Sequence, residues 1–261
     1  MVIGPFLLPP GVFAFLIGVI TLMILGALLK KFVHPRFDTW TGIVTVMAFV
    51  AARIGFVFRH WDTYQHNPLR ILYIWQGGFD IGWAVIAAVL SVFFLRTWRH
   101  RAIAVGSLVV VAAAIMLAFA MTPKPSAQNL PNIALTSIDN ESINLIDHAD
   151  QLLVVNLWAT WCGPCRREMP MLEEAIKDYP DVQFYFINQG ESEQLVMQYL
   201  KDSSLAISEV ILMDPNYKIA EYYQTRGTPV TLFFNKNKLV ALHVGEISAE
   251  LLSDRLNQLR L

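Results

Sequence analysis

Val154–Pro170 reads V-V-N-L-W-A-T-W-C-G-P-C-R-R-E-M-P. Its first part completes an apolar run, L-L-V-V-N-L-W, with the length and β-branched content of a buried strand. Its second part opens a helical pattern that continues to about Asp178. Cys162 and Cys165 therefore stand where a strand hands over to a helix. At a helix N-terminus the free backbone N–H groups and the helix dipole favour an anion, so the first thiol is predisposed to ionise. Pro164 suits the first turn, where its missing N–H is not needed. Arg166 and Arg167 add positive charge nearby. Cys162 is then the attacking thiolate. Cys165, further along the turn and less exposed, resolves a mixed disulfide by attacking Cys162. A zinc half-site and a purely structural disulfide are the other readings; zinc needs two further ligands, and no His or Cys lies nearby in sequence. The chain has 2 cysteines in all, which excludes a disulfide framework and a four-thiolate metal site.

Working outward, the following residues alternate strand and helix patterns. Gln183–Asn188 reads as a strand, Glu191–Asp202 as a helix, Val210–Met213 as a strand and Tyr217–Gln224 as a helix. Pro229–Phe234 and Leu239–Val244 read as a hairpin around Asn235–Lys238. Ser248–Arg260 is an amphipathic closing helix, with Ser248 as N-cap and Leu251, Leu252, Leu256 and Leu259 on one face. Such alternation predicts an α/β sandwich.

The 261 residues are 55% hydrophobic and 16% charged, with a mean hydropathy of +0.44. A single soluble domain is excluded. The net charge of −1 hides an asymmetry. Residues 1–121 carry nine Lys and Arg against three Asp, leaving eleven against eighteen acidic residues for 122–261. The acidic half excludes a general nucleic-acid binder. Four apolar runs, about Phe6–Leu29, Trp40–Phe58, Phe79–Leu95 and Ala102–Met121, are expected to cross a bilayer. The first lacks the basic flank and small-x-small site of a cleaved signal peptide. Lys30, Lys31 and Arg36 follow the first run, and Arg96, Arg99 and Arg101 follow the third. The loop between the second and third holds only Arg59 and Arg70 with Asp62. Positive charge stays inside, so both termini are expected outside. Thr122–Asn129, T-P-K-P-S-A-Q-N, is a semi-extended tether between a membrane domain (1–121) and a redox domain (130–261).

Residues 130–261 resemble the thioredoxin superfamily and, within it, the TlpA/ResA-like membrane-tethered thiol-disulfide oxidoreductases. The resemblance rests on Val154–Pro170 and on R-G-T-P-V-T at Arg226–Thr231. It implies that Pro229 is a cis-proline facing the disulfide, with Thr228 offering backbone hydrogen bonds to an extended peptide. Gly163, Pro164 and Trp161 would complete the substrate-binding rim. Asn156 stands six residues before Cys162, where classical thioredoxins carry a buried acid, and Glu168 stands six residues after it. The resemblance implies that Glu168, three residues from Cys165 on one helix face, handles protons for the resolving thiol; the alternative is a solvated Glu paired with Arg. Glu191–Met213 would be the helix and strand this branch inserts. Trp158 and Trp161 would frame the site, mainly by packing.

The membrane half bears a second resemblance. A-A-R-I-G-F-V-F (Ala51–Phe58) and N-P-L-R-I-L-Y-I-W-Q-G-G (Asn67–Gly78) are similar to prolipoprotein diacylglyceryl transferases. That family continues to H-G-G, whereas Gly78 is followed here by F-D-I-G-W-A, with Gly82 where the His is expected. The chain then turns to the redox domain, so a repurposed anchor is expected rather than acyl transfer. Arg53 lies inside the second run, and an intramembrane ionisable group marks a candidate site. Asp80 is its expected ion-pair partner, with a lipid or partner site as the alternative. Trp61, Tyr64, Tyr73 and Trp75 read as interfacial aromatics.

The function these readings imply is a membrane-anchored oxidoreductase of a bacterial inner membrane, its redox domain on the periplasmic side. It would reduce disulfides of exported proteins, the G-P dipeptide between the thiols resembling reducing thioredoxins. No cofactor beyond the Cys162–Cys165 disulfide and no metal are expected. The membrane half has no cysteine, so electrons must come from a separate membrane thiol protein. A disulfide-forming oxidant on the same site, and a lipid- or partner-binding module with an adaptor domain, remain as alternatives. A peroxidase lacks support, because Ala159 stands where P-x-x-x-T-x-x-C requires Thr.

Overall fold

The computed structural model describes residues 2–3, 6–7, 10–65, 68–121, 129–225 and 227–260. The chain divides into two compact units, one helical and one α/β. The tether expected at Thr122–Asn129 lies outside the described residues up to residue 128, as do His66, Asn67 and Arg226 of the quoted motifs.

The helical unit contains α1 (Pro10–Phe32), α2 (Arg36–Arg59), α3 (Ile81–Ser91) and α4 (Trp98–Met121). Among the described residues, α1, α2 and α4 are long and apolar enough to cross a membrane, three where four were expected. The difference falls on Phe79–Leu95. The Asp80 carboxylate caps α3 by accepting the Trp83 N–H at 3.3 Å, which starts the helix at Ile81. At the other end α3 tightens into a single 3-10 turn, Val92–Phe94, before an extended Leu95. The helices are pinned by specific contacts rather than by apolarity, since lipid tails would solvate apolar faces equally well. Buried Trp40 donates its indole N–H to the carbonyl and hydroxyl of Ser91, both at 3.2 Å. Gly55 lets α2 approach α3 closely; a Cβ there would fall 2.2 Å from the Trp83 ring. Phe37, Val44, Val92, Leu95 and Ala104 close the core around Trp40.

In the α/β unit a seven-stranded sheet comprises β1 (Ala134–Ser137), β2 (Ser142–Asn144), β3 (Leu152–Trp158), β4 (Val182–Gln189), β5 (Ile211–Asp214), β6 (Val230–Asn235) and β7 (Lys238–Val244). Their spatial order is β2-β1-β5-β4-β3-β6-β7. β3 is parallel to β4 and antiparallel to β6, with Leu157 opposite Val230. The helices are α5 (Gly163–Asp178), α6 (Glu193–Asp202), α7 (Lys218–Tyr222) and α8 (Ala249–Arg260). Alternate residues of each strand serve opposite faces. Val154, Trp158, Phe186 and Phe233 pack with Met169 and Leu172 of α5 and with Leu252 and Leu256 of α8. Val155, Leu157, Ile187 and Leu232 pack with Ile219 of α7 and Tyr223. Burial of both faces explains why β3 reads as a continuous apolar run. The expected α/β sandwich is present. The β1–β2 hairpin was not foreseen: its residues carry little apolar periodicity, and its turn depends on Asn140 at φ 63°.

Phe186 lies in the middle of the sheet and is fully buried. Phe186→Ala is expected to destabilise the α/β unit by about 3–5 kcal/mol, read from the urea midpoint of its tryptophan fluorescence.

Candidate active site at the Cys162–Cys165 pair

The β3–α5 junction positions the two sulfurs. Cys162 is the N-cap of α5, its backbone extended, and its sulfur accepts the Cys165 N–H at 3.2 Å. The two cysteines form a disulfide with Cα atoms 5.3 Å apart. Cys165 is fully buried and Cys162 is 4% exposed, the order expected for a resolving and an attacking sulfur. Gly163 and Pro164 make the first helical turn. The arginines expected to support the thiolate are engaged elsewhere. Arg167 binds Glu246 at 2.5 and 3.0 Å, and the Arg166 guanidinium lies 5.7 Å from the centre of the Tyr199 ring. The N-terminus of α5 contributes positive potential at Cys162.

One turn beyond Cys165, Glu168 points inward and is 2% exposed, which removes the reading of it as a solvated surface residue. Its two oxygens are held separately. Oε2 accepts the Ile247 N–H at 2.8 Å, and Oε1 accepts an N–H of the Asn156 side chain at 2.9 Å. Burial pushes the carboxyl up to about 8; Ile247 and Asn156 oppose that rise, the nearby Glu246 adds to it, and Arg167 opposes it more weakly. Asn156 is itself fully buried on β3 and donates a second hydrogen bond to the Thr231 hydroxyl of β6 at 3.1 Å.

Beyond the sulfurs, the Thr228–Pro229 bond is cis, as the resemblance implied, and Pro229 is buried across from the end of β3. Thr228 and Trp161 line one cavity of about 390 Å³ together with Gln189, Tyr217, Glu221 and Gly227. Trp161 is 68% exposed on its rim, whereas Trp158 is packed in the core, so only one of the two tryptophans is available to a partner. Next to Gln189, position 190 requires glycine: its φ is +78°, and a Cβ would fall 2.0 Å from the Tyr217 hydroxyl. Sequence reasoning missed Glu191. Its carboxylate accepts the Thr160 N–H at 2.7 Å, the Thr160 hydroxyl at 2.6 Å and the Asn188 amide at 2.7 Å. It ties the loop before Cys162 to the end of β4. Nothing in the residue pattern announces a contact across 31 positions.

The structure corrects the pairing expected in the helical unit. Asp80, 8% exposed, pairs with Arg59 rather than with Arg53. Arg53, 7% exposed, donates to the carbonyls of Ile71, Arg70 and Gly78 at 3.0–3.1 Å, with its guanidinium near the rings of Tyr64 and Phe79. It organises a loop. Tyr64 is accordingly buried, while Trp61, Tyr73 and Trp75 are exposed. Among the described residues no cluster of three or more His, Cys, Asp or Glu could hold a metal ion.

The Glu168 carboxyl generates a pH prediction. Folding raises its proton affinity above the ordinary value of 4.5, so its contribution to stability is fully present below about pH 4.5 and is lost as pH rises through about 8. Glu168→Gln is expected to flatten the stability of the oxidised protein across that interval, read from urea midpoints at successive pH values. An unchanged slope would assign the dependence to another group.

Comparison with known proteins accords with this geometry. Residues 127–243 match the family model of the AhpC/TSA family, and residues 11–121 match that of prolipoprotein diacylglyceryl transferase. The thiol-disulfide oxidoreductase ResA of Bacillus subtilis is 26% identical over 133 residues, 50% of this chain and 73% of that protein. The thioredoxin-like protein YneN of the same organism is 29% identical over 135 residues, 50% of this chain and 78% of that one. Among solved structures, a DsbF homologue from Corynebacterium diphtheriae aligns with a TM-score of 0.46 at 22% identity, over 52% of this chain and 90% of that one. The C-terminal half matches the AhpC/TSA family model and has ResA-like relatives, the N-terminal helices match the prolipoprotein diacylglyceryl transferase model, and these similarities support a thiol-disulfide oxidoreductase activity.

Proposed function

We propose that this oxidoreductase is anchored in a bacterial inner membrane with its redox domain on the outer, periplasmic side, and that it reduces disulfides of exported proteins. The observation that carries the reading is the buried Glu168 carboxyl one helical turn from Cys165, matched to a thiol that must lose a proton during each turnover. In the reduced chain the Cys162 thiolate attacks a substrate disulfide. One substrate sulfur leaves as a thiolate and takes a proton from solvent. Cys165 then passes its proton to the Glu168 carboxylate and attacks the Cys162 sulfur, which releases the second substrate sulfur. Two electrons and two protons pass to the substrate in all, the second proton by way of Glu168. The chain is left with the Cys162–Cys165 disulfide, and a separate membrane protein bearing a dithiol returns two electrons and the one proton that Cys165 gave up, its second proton passing to solvent. Trp161, Gly163, Pro164 and the backbone of Thr228, beside Pro229, form the surface on which an extended substrate segment rests.

Outward orientation depends on a fourth crossing by α3 and its 3-10 turn. Two contacts support it. Asp80, at the start of α3, pairs with Arg59 at the end of α2, while Ser91 at the other end receives Trp40 from the start of α2. The segment runs antiparallel along α2, and in this reading it crosses the same layer. The basic residues of the first and third loops then lie inside together.

Cys162→Ser is expected to abolish disulfide exchange, and Cys165→Ser to accumulate mixed disulfides with exported proteins. A membrane-impermeant thiol reagent is expected to label reduced Cys162 at mildly acidic pH in cells whose inner membrane is intact. Labelling that needs permeabilisation overturns the orientation. A reduction potential at the strongly oxidising end of the thioredoxin range overturns the direction in favour of a disulfide-forming oxidant.

A further inference from the structure

We propose that Asn156 is a positioning residue that allows Glu168 to exist in both protonation states: its carboxamide offers an N–H to the carboxylate and, turned over, its oxygen to the carboxylic acid. The inference rests on the reading of Glu168 as the proton acceptor for Cys165. Three observations carry it. Asn156 is fully buried and lies 2.9 Å from Glu168 Oε1. Its other contact is the Thr231 hydroxyl at 3.1 Å, a group that can donate or accept by rotating its proton. Its Oδ1 meets no hydrogen-bond donor among the described residues.

The last observation decides the energetics. With the amide nitrogen toward Glu168, the buried Oδ1 goes unpaired. With the amide reversed, Oδ1 accepts a proton from the neutral acid and another from Thr231, and Nδ2 goes unpaired instead. Each orientation leaves one end of the amide without a partner, Oδ1 in the first and the two Nδ2 hydrogens in the second, and the charge on Glu168 selects between them. A carboxylate at position 156 would bring a second ionisable group against Glu168. An aliphatic side chain would leave Glu168 with the Ile247 N–H, a donor only. The remaining charged and titratable groups around this pair are Arg167 on α5, Glu246 ahead of α8, and His243, cross-strand from Thr231 on β7. Burial lowers the basicity of His243. All three stay unaltered in the variants below.

The test is the pH dependence of the rate at which the reduced full chain, in detergent, reduces a small aromatic disulfide under single-turnover conditions. The inflection that disappears in Glu168→Gln belongs to Glu168. In Asn156→Leu this inflection is expected to move upward by about one pH unit or more, because the carboxylate loses a donor. In Asn156→Asp it is expected to split into two steps, as two carboxyls share one proton. Thr231→Val, a near-isosteric change that leaves Asn156 in place, is expected to move it upward by less, and it keeps the test decisive should Asn156→Leu fold poorly. A purely structural Asn156 predicts lower stability with the inflection unmoved in every folded variant, and that outcome overturns the proposal. An inflection that survives in Glu168→Gln overturns the reading of Glu168 beneath it, a result distinguishable from the first.

Discussion

The α/β unit is organised around a carboxyl group removed from water. Glu168 leaves the first turns of α5, meets Asn156 in β3 and accepts a backbone N–H ahead of α8. Helix, sheet and closing segment are thereby fixed to one another at the point where Cys165 is also buried. A charge in that position is costly, and the cost appears as a raised proton affinity. The same desolvation that strains the site gives it a group able to take a proton near neutral pH. Structure and chemistry depend on one burial.

Around that centre the remaining contacts hold the sulfurs in register. Thr160 is fastened to Glu191 and the Cys165 N–H reaches the Cys162 sulfur, so the loop leading into α5 has little freedom. Charge-assisted hydrogen bonds to a carboxylate are the strong kind, and three converge on Glu191. The arginines beside the motif serve the periphery, one in an ion pair with Glu246 and one on an aromatic ring. The backbone at the start of α5 offers electrostatic support for a thiolate that does not depend on a side chain. The helical unit follows another logic. Its buried cation, Arg53, donates to carbonyl oxygens of an irregular loop, a solution open to a guanidinium with its fork of N–H donors.

Sequence reading succeeded where a pattern is local. The strand running into C-G-P-C, the amphipathic closing helix capped by Ser248 and the long apolar helices all follow from periodicity and end signals within a few residues. It fell short where an outcome depends on partners far along the chain. The Arg53–Asp80 pair was plausible by depth, yet Arg59 is the nearer cation to Asp80. The ends of the third apolar run were likewise unread: Asp80 caps the helix at Ile81 and the far end tightens into a 3-10 turn. Glu191 carried no signal, because a glutamate near a helix start reads as an ordinary capping residue.

The residues alone determined a half built of long apolar helices, a thioredoxin-like half and a pair of cysteines at a strand–helix junction. Those features depend on hydrophobic periodicity and on the special backbone of a helix N-terminus, both written in contiguous residues. Only the tertiary structure decided that Glu168 is buried, that Asn156 and Ile247 hold it, and that Arg53 serves a loop. The reason is that desolvation and hydrogen-bond pairing belong to the packed molecule. A side chain's neighbours set its charge and its role, and these neighbours come from strands and loops up to 79 positions away.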